Sequence, residues 1–199
     1  MSDSGAGIVE AKRDMRTSAL ARRGAARARH GAAVPEAAMA IRLAAAGLLG
    51  TSDVVAAWLA IGEEIDAMAV LAGIGRGDEP VGLPTMVAKG QPLVFRLWRP
   101  GEPLAERMWG IREPLPEARE AEPDVLLVPL LAFDGHCRRL GYGGGFYDRT
   151  LGRLRKVKQI CAIGLAFDEV EVDSVPCAAY DEPLDHVLTP TRLLTRPLG

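Results

Sequence analysis

The segment Val125–Phe167 constrains the fold of this chain more than any other part of its sequence. It begins with a continuous apolar run, Val125–Leu131, continues through a glycine-rich loop and a stretch of helical periodicity, and ends with a second apolar run, Ile160–Phe167. Continuous apolar runs are typical of parallel strands that are buried on both faces of a sheet. The order strand, loop, helix, strand predicts a βαβ unit, which is a building block of parallel sheets.

The sequence around this unit predicts further helices and strands. The predicted helices are 8–29, 35–49, 63–74 and 146–157, and the further predicted strands are 54–61, 81–87, 92–98 and 186–189. We therefore predict a single three-layer α/β domain over residues 1–199. Its sheet is mostly parallel, has antiparallel additions and is covered by helices on both faces. Residues 1–7 are predicted to be a disordered tail, and residues 99–123, which are rich in Pro, Gly and Glu, a long loop.

Charge and cysteine content narrow the classes of partner. The net charge is −2, but residues 1–30 hold seven Lys and Arg against three Asp and Glu, so a basic arm precedes an acidic body. The three cysteines have no zinc-ligand spacing and favour a reducing compartment, which predicts a cytoplasmic protein. Apolar runs long enough to span a membrane do not occur in the sequence. We expect small-molecule partners, no nucleic acid and no membrane.

The loop between the two apolar runs carries the chemistry. Residues 139–145 read Arg-Leu-Gly-Tyr-Gly-Gly-Gly, and such glycines let the backbone approach a ligand closely. The helix that follows presents free N–H groups, so loop and helix together predict a site for an anion such as phosphate. Arg139 adds positive charge, and Asp148 lies about one turn into the helix, where it could hold Mg²⁺. A connector that binds no ligand remains the alternative, because neither a Walker nor a Rossmann pattern is present.

Two other functions stay open on these residues. A sugar-phosphate isomerase or an acyl-transfer enzyme would use the glycine loop for substrate phosphate and would need a general base instead of ATP. A nucleic-acid-binding module would use the basic arm to contact phosphates. The aromatic content of 5% leaves little for base stacking, which disfavours the second alternative.

The long pattern around the loop resembles the 5-formyltetrahydrofolate cyclo-ligase family, also called methenyltetrahydrofolate synthetases. Residues 132–134 (Ala-Phe-Asp), 139–143 and 145–149 match its signature, which is close to Arg-Leu-Gly-x-Gly-x-Gly-Tyr-Tyr-Asp. This chain has Gly144 where the family often has Lys, and Phe146 in place of the first Tyr. Further resemblances lie at Lys12, Arg16, Glu64-Ile65, Leu83-Pro84, 110–114, Val175-Pro176, Asp181, Asp185 and Val187-Leu188.

The resemblance implies an enzyme that uses ATP and Mg²⁺ to cyclise 5-formyltetrahydrofolate to 5,10-methenyltetrahydrofolate, and we expect a monomer. It assigns ATP binding to Lys12, Arg16, Arg139, Leu140, Gly141, Tyr142, Gly143, Gly144, Gly145, Phe146 and Tyr147. It assigns folate binding to Glu64, Trp109, Tyr142, Gly143, Gly145 and Phe146, with Tyr147 and Trp109 stacking on or closing over the folate. Arg139 and Tyr147 are the implied catalytic residues, and Asp148 and Asp181 the implied magnesium ligands.

Overall fold

Eight strands form one sheet in the computed structural model, which describes residues 3–107 and 110–197. The helices are α1 (Asp3–His30), α2 (Val34–Ala46), α3 (Ala67–Gly73) and α4 (Phe146–Leu154). The strands are β1 (Val55–Ala56), β2 (Val81–Thr85), β3 (Val94–Trp98), β4 (Leu104–Glu106), β5 (Arg112–Pro114), β6 (Glu120–Ala121), β7 (Val125–Pro129), β8 (Ala132–Phe133), β9 (Arg139–Leu140), β10 (Cys161–Leu165), β11 (His186–Leu188) and β12 (Leu193–Thr195).

The sheet is mostly parallel, as predicted. Its order is β12-β11-β10-β7-β1-β2-β3-β6. The five strands β11, β10, β7, β1 and β2 lie side by side and pair in parallel. Strands β12, β3 and β6 add to it in antiparallel orientation. Strands β7 and β10 pair in register from Val125 with Cys161 to Pro129 with Leu165, so the predicted βαβ unit lies at the centre of the sheet.

Helices cover both faces, which confirms the three-layer prediction. Alternate side chains of β7 point to opposite faces, because a strand has a period of two. Leu127 packs in one apolar cluster with Met39 of α2 and Leu71 of α3. Leu126 packs in a second cluster with Leu151 of α4. In the described part of the chain, no helix is long and apolar enough to cross a membrane.

Helix α1 starts earlier than predicted. It begins at Asp3 instead of Ile8, so residues 3–7 are helical, and the prediction that they form a disordered tail is wrong for these residues. Residues 3–10 contain no proline, the residue least favourable in a helix interior, so the helix can extend to the N-terminal side of Ile8. Helix α2 ends before Gly47, whose φ of 61° stops it earlier than the predicted Gly50.

The segment 99–123 is more structured than the predicted long loop. Strands β4 and β5 form an antiparallel hairpin, and β6 pairs with β3 and so becomes the edge of the sheet. These strands are only two or three residues long, and their pairing depends on partners rather than on local preference.

Helix α1 crosses the segments that follow the carboxyl ends of the central strands. It contacts β8, which follows β7, and the short 3-10 helix Asp168–Val170, which follows β10. Its buried apolar residues are small, Ala19 and Ala26, and they share a stripe with basic side chains. Since ligands in open α/β sheets bind at the carboxyl ends of strands, α1 lies over the expected site.

Candidate active site

The glycine loop is held in place by the turn that precedes it. Strands β8 and β9 form a hairpin, and the fully buried Asp134 closes its turn. The Asp134 carboxylate accepts from the backbone N–H groups of His136 (2.9 Å), Arg138 (3.2 Å) and Val175 (3.0 Å). These three bonds fix β9, and therefore fix the start of the loop that leads into α4.

Arg16 lies against the backbone of the loop. Its Nε donates to the carbonyl oxygen of Gly141 at 2.9 Å. Gly143 has a φ of 98°, and a Cβ at this position would lie 3.3 Å from the Arg16 guanidinium carbon. The left-handed backbone favours glycine at position 143, and a Cβ there would also require the Arg16 guanidinium to shift by a few tenths of an ångström.

Two ion pairs bring together four of the residues predicted from sequence. Arg139, which is 9% exposed, donates through Nη2 to Oδ1 of Asp148 at 2.7 Å. The same oxygen accepts from the backbone N–H of Glu182 at 3.1 Å, so Asp148 ties α4 to the segment that carries Asp181. Lys12 Nζ pairs with Oδ2 of Asp181. The predicted phosphate-binding cations and the predicted metal ligands therefore lie together.

The two aspartates fit a magnesium site only in part. Mg²⁺ is usually held by one or two carboxylates together with phosphate oxygens and waters, which matches two aspartates beside a phosphate loop. Within residues 3–107 and 110–197, however, no group of three or more His, Cys, Asp or Glu could hold a metal ion by itself. Asp148 and Asp181 remain predicted ligands, and phosphate would have to supply the others.

A cavity of about 260 Å³ opens beside these ion pairs. Arg139, Asp181 and Glu182 line it, and Arg138 and Arg196 add two further guanidinium groups. Three arginines and two acids make the lining of this cavity polar and charged, and each arginine also pairs with an aspartate: Arg138 with Asp134, Arg139 with Asp148 and Arg196 with Asp185.

Glu64 forms a second centre, which the loop reaches through Tyr142. Oε2 of Glu64, a residue only 8% exposed, accepts from Nε1 of Trp58 and from the backbone N–H of Ile61, both at 3.0 Å. Its Oε1 accepts from the Tyr142 hydroxyl, which in turn accepts from Nη1 of Arg23 at 2.6 Å. The glycine loop is thus directly bonded to the predicted folate-binding carboxylate.

Tyr142 of the loop and Tyr147 in the first turn of α4 both stay protonated at neutral pH, because their pKa values are raised. Tyr142 is 53% exposed, but desolvation of its hydroxyl and the bond to Glu64 raise its pKa to about 12. Burial, with a smaller contribution from Glu64, raises the pKa of Tyr147 well above its usual value. Tyr147 therefore offers a neutral hydroxyl that can donate a hydrogen bond, rather than a general base. Its predicted catalytic role remains a prediction.

The two departures from the family pattern lie in contact. A Cβ on Gly144 would be 2.7 Å from the ring of Phe146, so the ring occupies the space that a side chain at 144 would need. The guanidinium carbon of Arg149 lies 5.4 Å from the centre of the same ring. Trp109, the remaining predicted folate contact, lies outside the described residues, and Leu140 is buried with Leu131 in a small apolar cluster.

The family model described as the 5-formyltetrahydrofolate cyclo-ligase family matches residues 8–190. The chain belongs to this family. Among curated cyclo-ligases, the protein of Escherichia coli K12 is 33% identical over 145 residues, which cover 70% of this chain and 79% of that one. The Mycolicibacterium smegmatis cyclo-ligase is 45% identical over 71 residues, 36% of each chain. The predicted family and enzyme class are thereby confirmed.

Solved structures support the fold of this cyclo-ligase family member. The 5,10-methenyltetrahydrofolate synthetase of Aquifex aeolicus has a TM-score of 0.75 and 23% identity, and the match covers 94% of each chain. The synthetase of Mycoplasma pneumoniae has a TM-score of 0.67 and 20% identity, with 90% of this chain and 98% of that one covered. At these identities the likeness concerns the fold alone.

Sequence reasoning missed two residues of the Glu64 centre. Arg23 could have been found, because it lies seven residues after Arg16 and helical spacing places both on one face. Trp58 carries no such signal, since a tryptophan within a predicted apolar strand indicates packing rather than a bond to a carboxylate.

Proposed function

We propose that this protein catalyses the ATP-dependent cyclisation of 5-formyltetrahydrofolate to 5,10-methenyltetrahydrofolate, with release of ADP and phosphate. The observation that carries the proposal is the bond between Tyr142 of the glycine loop and Glu64. It makes the predicted phosphate site and the predicted folate site neighbours, as transfer of a phosphoryl group between two ligands requires.

The reaction needs activation rather than a protein nucleophile. The formyl oxygen is a poor leaving group, and transfer of the γ-phosphoryl group of ATP to that oxygen turns it into a good one. The neighbouring folate nitrogen then attacks the activated carbon, the ring closes, and the carbon–oxygen bond breaks with release of phosphate. The protein has to align two ligands and neutralise the transferring phosphate.

The cations around the glycine loop suit this task. Lys12, Arg16 and Arg139 would neutralise phosphate charge, while backbone N–H groups of the loop would hold the phosphates. A magnesium ion held by Asp148 and Asp181 would supply further positive charge at the phosphates. Both aspartates are paired with cations, so binding of ATP and metal would have to exchange these partners.

Glu64 suits recognition of the pterin. A carboxylate accepts two parallel N–H bonds, which are what the amino-pyrimidine edge of the pterin presents. The Tyr142 hydroxyl occupies Oε1 of Glu64, so folate would displace this hydroxyl when it binds. Tyr147 and Trp109 remain the proposed aromatic contacts.

The basic arm supports small-molecule rather than nucleic-acid partners. Each of its seven basic residues contacts an oxygen of the same chain: Lys12, Arg13, Arg16, Arg22, Arg23, Arg27 and Arg29. Lys12, Arg16 and Arg23 reach the two candidate ligand sites, so the arm supplies these sites with positive charge. We propose that the protein acts as a cytoplasmic monomer on ATP and folate.

A turnover assay tests the function. Purified protein is mixed with 5-formyltetrahydrofolate, ATP and Mg²⁺, and methenyl-folate is followed by its near-ultraviolet absorbance. We expect a rise that requires all three components and that Asp148→Ala reduces by about 100-fold or more. Asp173→Ala, at an exposed aspartate, serves as the matched control and should retain activity. No rise with the wild-type protein would contradict the proposal.

A further inference from the structure

We propose that Arg23 determines specificity in the folate site by donating to the 4-oxo oxygen of the pterin ring. Glu64 accepts from the ring N–H and the 2-amino group beside that oxygen. This assignment rests on the proposed function and adds to it a residue that distinguishes a 4-oxo ring from a 4-amino ring.

Arg23 and Glu64 form a buried pair of opposite charge. They are 7% and 8% exposed, and Nη1 of Arg23 lies 3.7 Å from Oε1 of Glu64. The Tyr142 hydroxyl lies between them, accepting from Arg23 and donating to Glu64. The Tyr142 hydroxyl therefore occupies the position in which an acceptor of a ligand would bind Arg23 and a donor of a ligand would bind Glu64.

The pair lines a small cavity at the carboxyl ends of the central strands. The other lining side chains are mostly apolar; they include Leu130 after β7, Leu165 at the end of β10 and Phe167 just beyond it. An apolar pocket with a few convergent polar groups is the usual form of a small-molecule site. The cavity measures only about 10 Å³, so a pterin ring enters only when the side chains that line it move apart.

Arg23 has unused capacity to donate. Its Nε is buried and has no hydrogen-bond partner among the described residues. Displacement of Tyr142 would also leave Nη1 without its 2.6 Å acceptor. A buried guanidinium in this state requires an acceptor from the ligand, because an unsatisfied buried donor is costly.

The polar edge of a 2-amino-4-oxo pterin matches this arrangement. It presents two N–H donors followed by one carbonyl acceptor. The Glu64 carboxylate pairs with the two donors and the adjacent Arg23 with the acceptor. A 2,4-diamino ring instead places an N–H donor against the guanidinium, and a site built for one hydrogen-bonding pattern rejects its inverse strongly.

The test separates ring recognition from a purely structural ion pair. Dissociation constants of 5-formyltetrahydrofolate and of its 2,4-diamino analogue are measured by calorimetry for wild-type protein and Arg23→Ala, together with steady-state kinetics. We expect Arg23→Ala to raise the KM for folate by about 10- to 100-fold while changing the KM for ATP by less than about twofold. We also expect the preference for the 4-oxo ligand to fall by at least about tenfold.

Three further variants control for folding. Arg22→Ala removes an adjacent, exposed arginine of α1 that donates to the Glu171 carbonyl, and it should leave both constants unchanged. Arg23→Lys and Arg23→Gln keep a donor and should restore part of the preference if Arg23→Ala folds poorly. Unchanged folate KM and unchanged preference in an active Arg23→Ala would overturn the assignment and leave the proposed function standing. Absence of turnover by wild-type protein would overturn both.

Discussion

At the residue scale, Gly144 and Phe146 behave as one unit. The backbone at Gly144 does not require glycine, because its φ is not in the left-handed region; only the ring of Phe146 excludes a side chain there. A longer side chain at 144, as the family often has, would therefore require that ring to turn away. The two departures from the family pattern have a common physical cause.

Gly144→Ala is accordingly expected to destabilise the protein by about 1–2 kcal/mol, because the new methyl group meets the ring at 2.7 Å. Gly135→Ala is the matched control, since a Cβ there meets nothing within 4 Å. It should change the free energy of unfolding by less than about 0.5 kcal/mol. Urea denaturation measures both, and Phe146→Leu should reduce the loss in Gly144→Ala. Equal losses at 144 and 135 would contradict this explanation.

Contacts between single residues were predictable where the two residues are close in the sequence. Arg139 and Asp148 are nine positions apart around one glycine loop, and the structure joins them at 2.7 Å. The contacts among Glu64, Arg23 and Tyr142 were not predictable, because these three residues come from distant parts of the sequence. Contacts between residues that are far apart in the sequence leave no local pattern. Helical spacing predicts only that Arg23 lies on the same face of α1 as Lys12 and Arg16.

At the element scale, Glu36 joins three helices. It lies in the first turn of α2 and is 2% exposed. Its Oε1 accepts from Nη2 of Arg27 on α1 at 2.7 Å and from the backbone N–H of Asp66, the N-cap of α3, at 3.1 Å. Burial acts to raise the pKa of Glu36, but the bonds from Arg27 and Asp66 outweigh it and hold the pKa below its usual value.

The lowered pKa gives Glu36→Gln a defined pH dependence. A carboxylate whose pKa is depressed by folding stabilises the protein above its unfolded pKa and loses that effect as the pH falls through its folded pKa. We expect Glu36→Gln to cost about 1–3 kcal/mol at pH 7. The difference from wild type should shrink as the pH falls below about 4.5, the usual pKa of this carboxyl, at which it is half protonated in the unfolded chain.

Chemical denaturation across pH 3 to 7 (a range of about four units around the usual carboxyl pKa) measures this difference. Glu10→Gln is the matched control, because Glu10 also pairs with an arginine, Arg13, but its side chain is 70% exposed. Exposed pairs contribute about 0–1 kcal/mol, so this control should show little change at any pH. A Glu36→Gln effect that stays constant down to pH 3 would contradict the role assigned to the carboxylate.

Elements with strong local signals were the predictable ones. The apolar runs that became β7 and β10 identified the centre of the sheet, since only strands buried on both faces are apolar throughout. Strands β4, β5 and β6 were missed because each is short and is defined by its partner. Only two residues of the predicted strand 54–61 pair in the sheet, and the rest of it leads to Glu64.

At the scale of the whole molecule, one helix serves both candidate ligand sites. Lys12 and Arg16 reach the predicted phosphate site from α1, and Arg23 reaches the Glu64 centre from the same helix. A ligand that fixes α1 at one site therefore prepares it for the other, and the binding of the two ligands should be positively coupled.

We expect a non-hydrolysable ATP analogue to tighten the binding of 5-formyltetrahydrofolate by about 5- to 10-fold, measured by calorimetry. Ala21 lies on the exposed side of α1 between Arg16 and Arg23, and Ala21→Gly makes the helix less favourable by about 1 kcal/mol. It should reduce the coupling. Ala25→Gly makes the same change beyond Arg23 and should leave the coupling intact. Equal effects of the two variants would show that α1 does not transmit it.

If ATP is the phosphoryl donor, as proposed, the hydrogen bond between Tyr142 and Glu64 has a consequence for hydrolysis of ATP by water. While the proposed folate site is empty, Glu64 accepts the hydrogen bond from Tyr142, and the glycine loop keeps the conformation that this bond imposes. In the proposed reaction folate would release Tyr142, so the loop would adopt its transfer geometry only when the acceptor oxygen is present. In the absence of folate, bound ATP would then be poorly aligned for attack by water, and little ATP would be hydrolysed without formation of methenyl-folate.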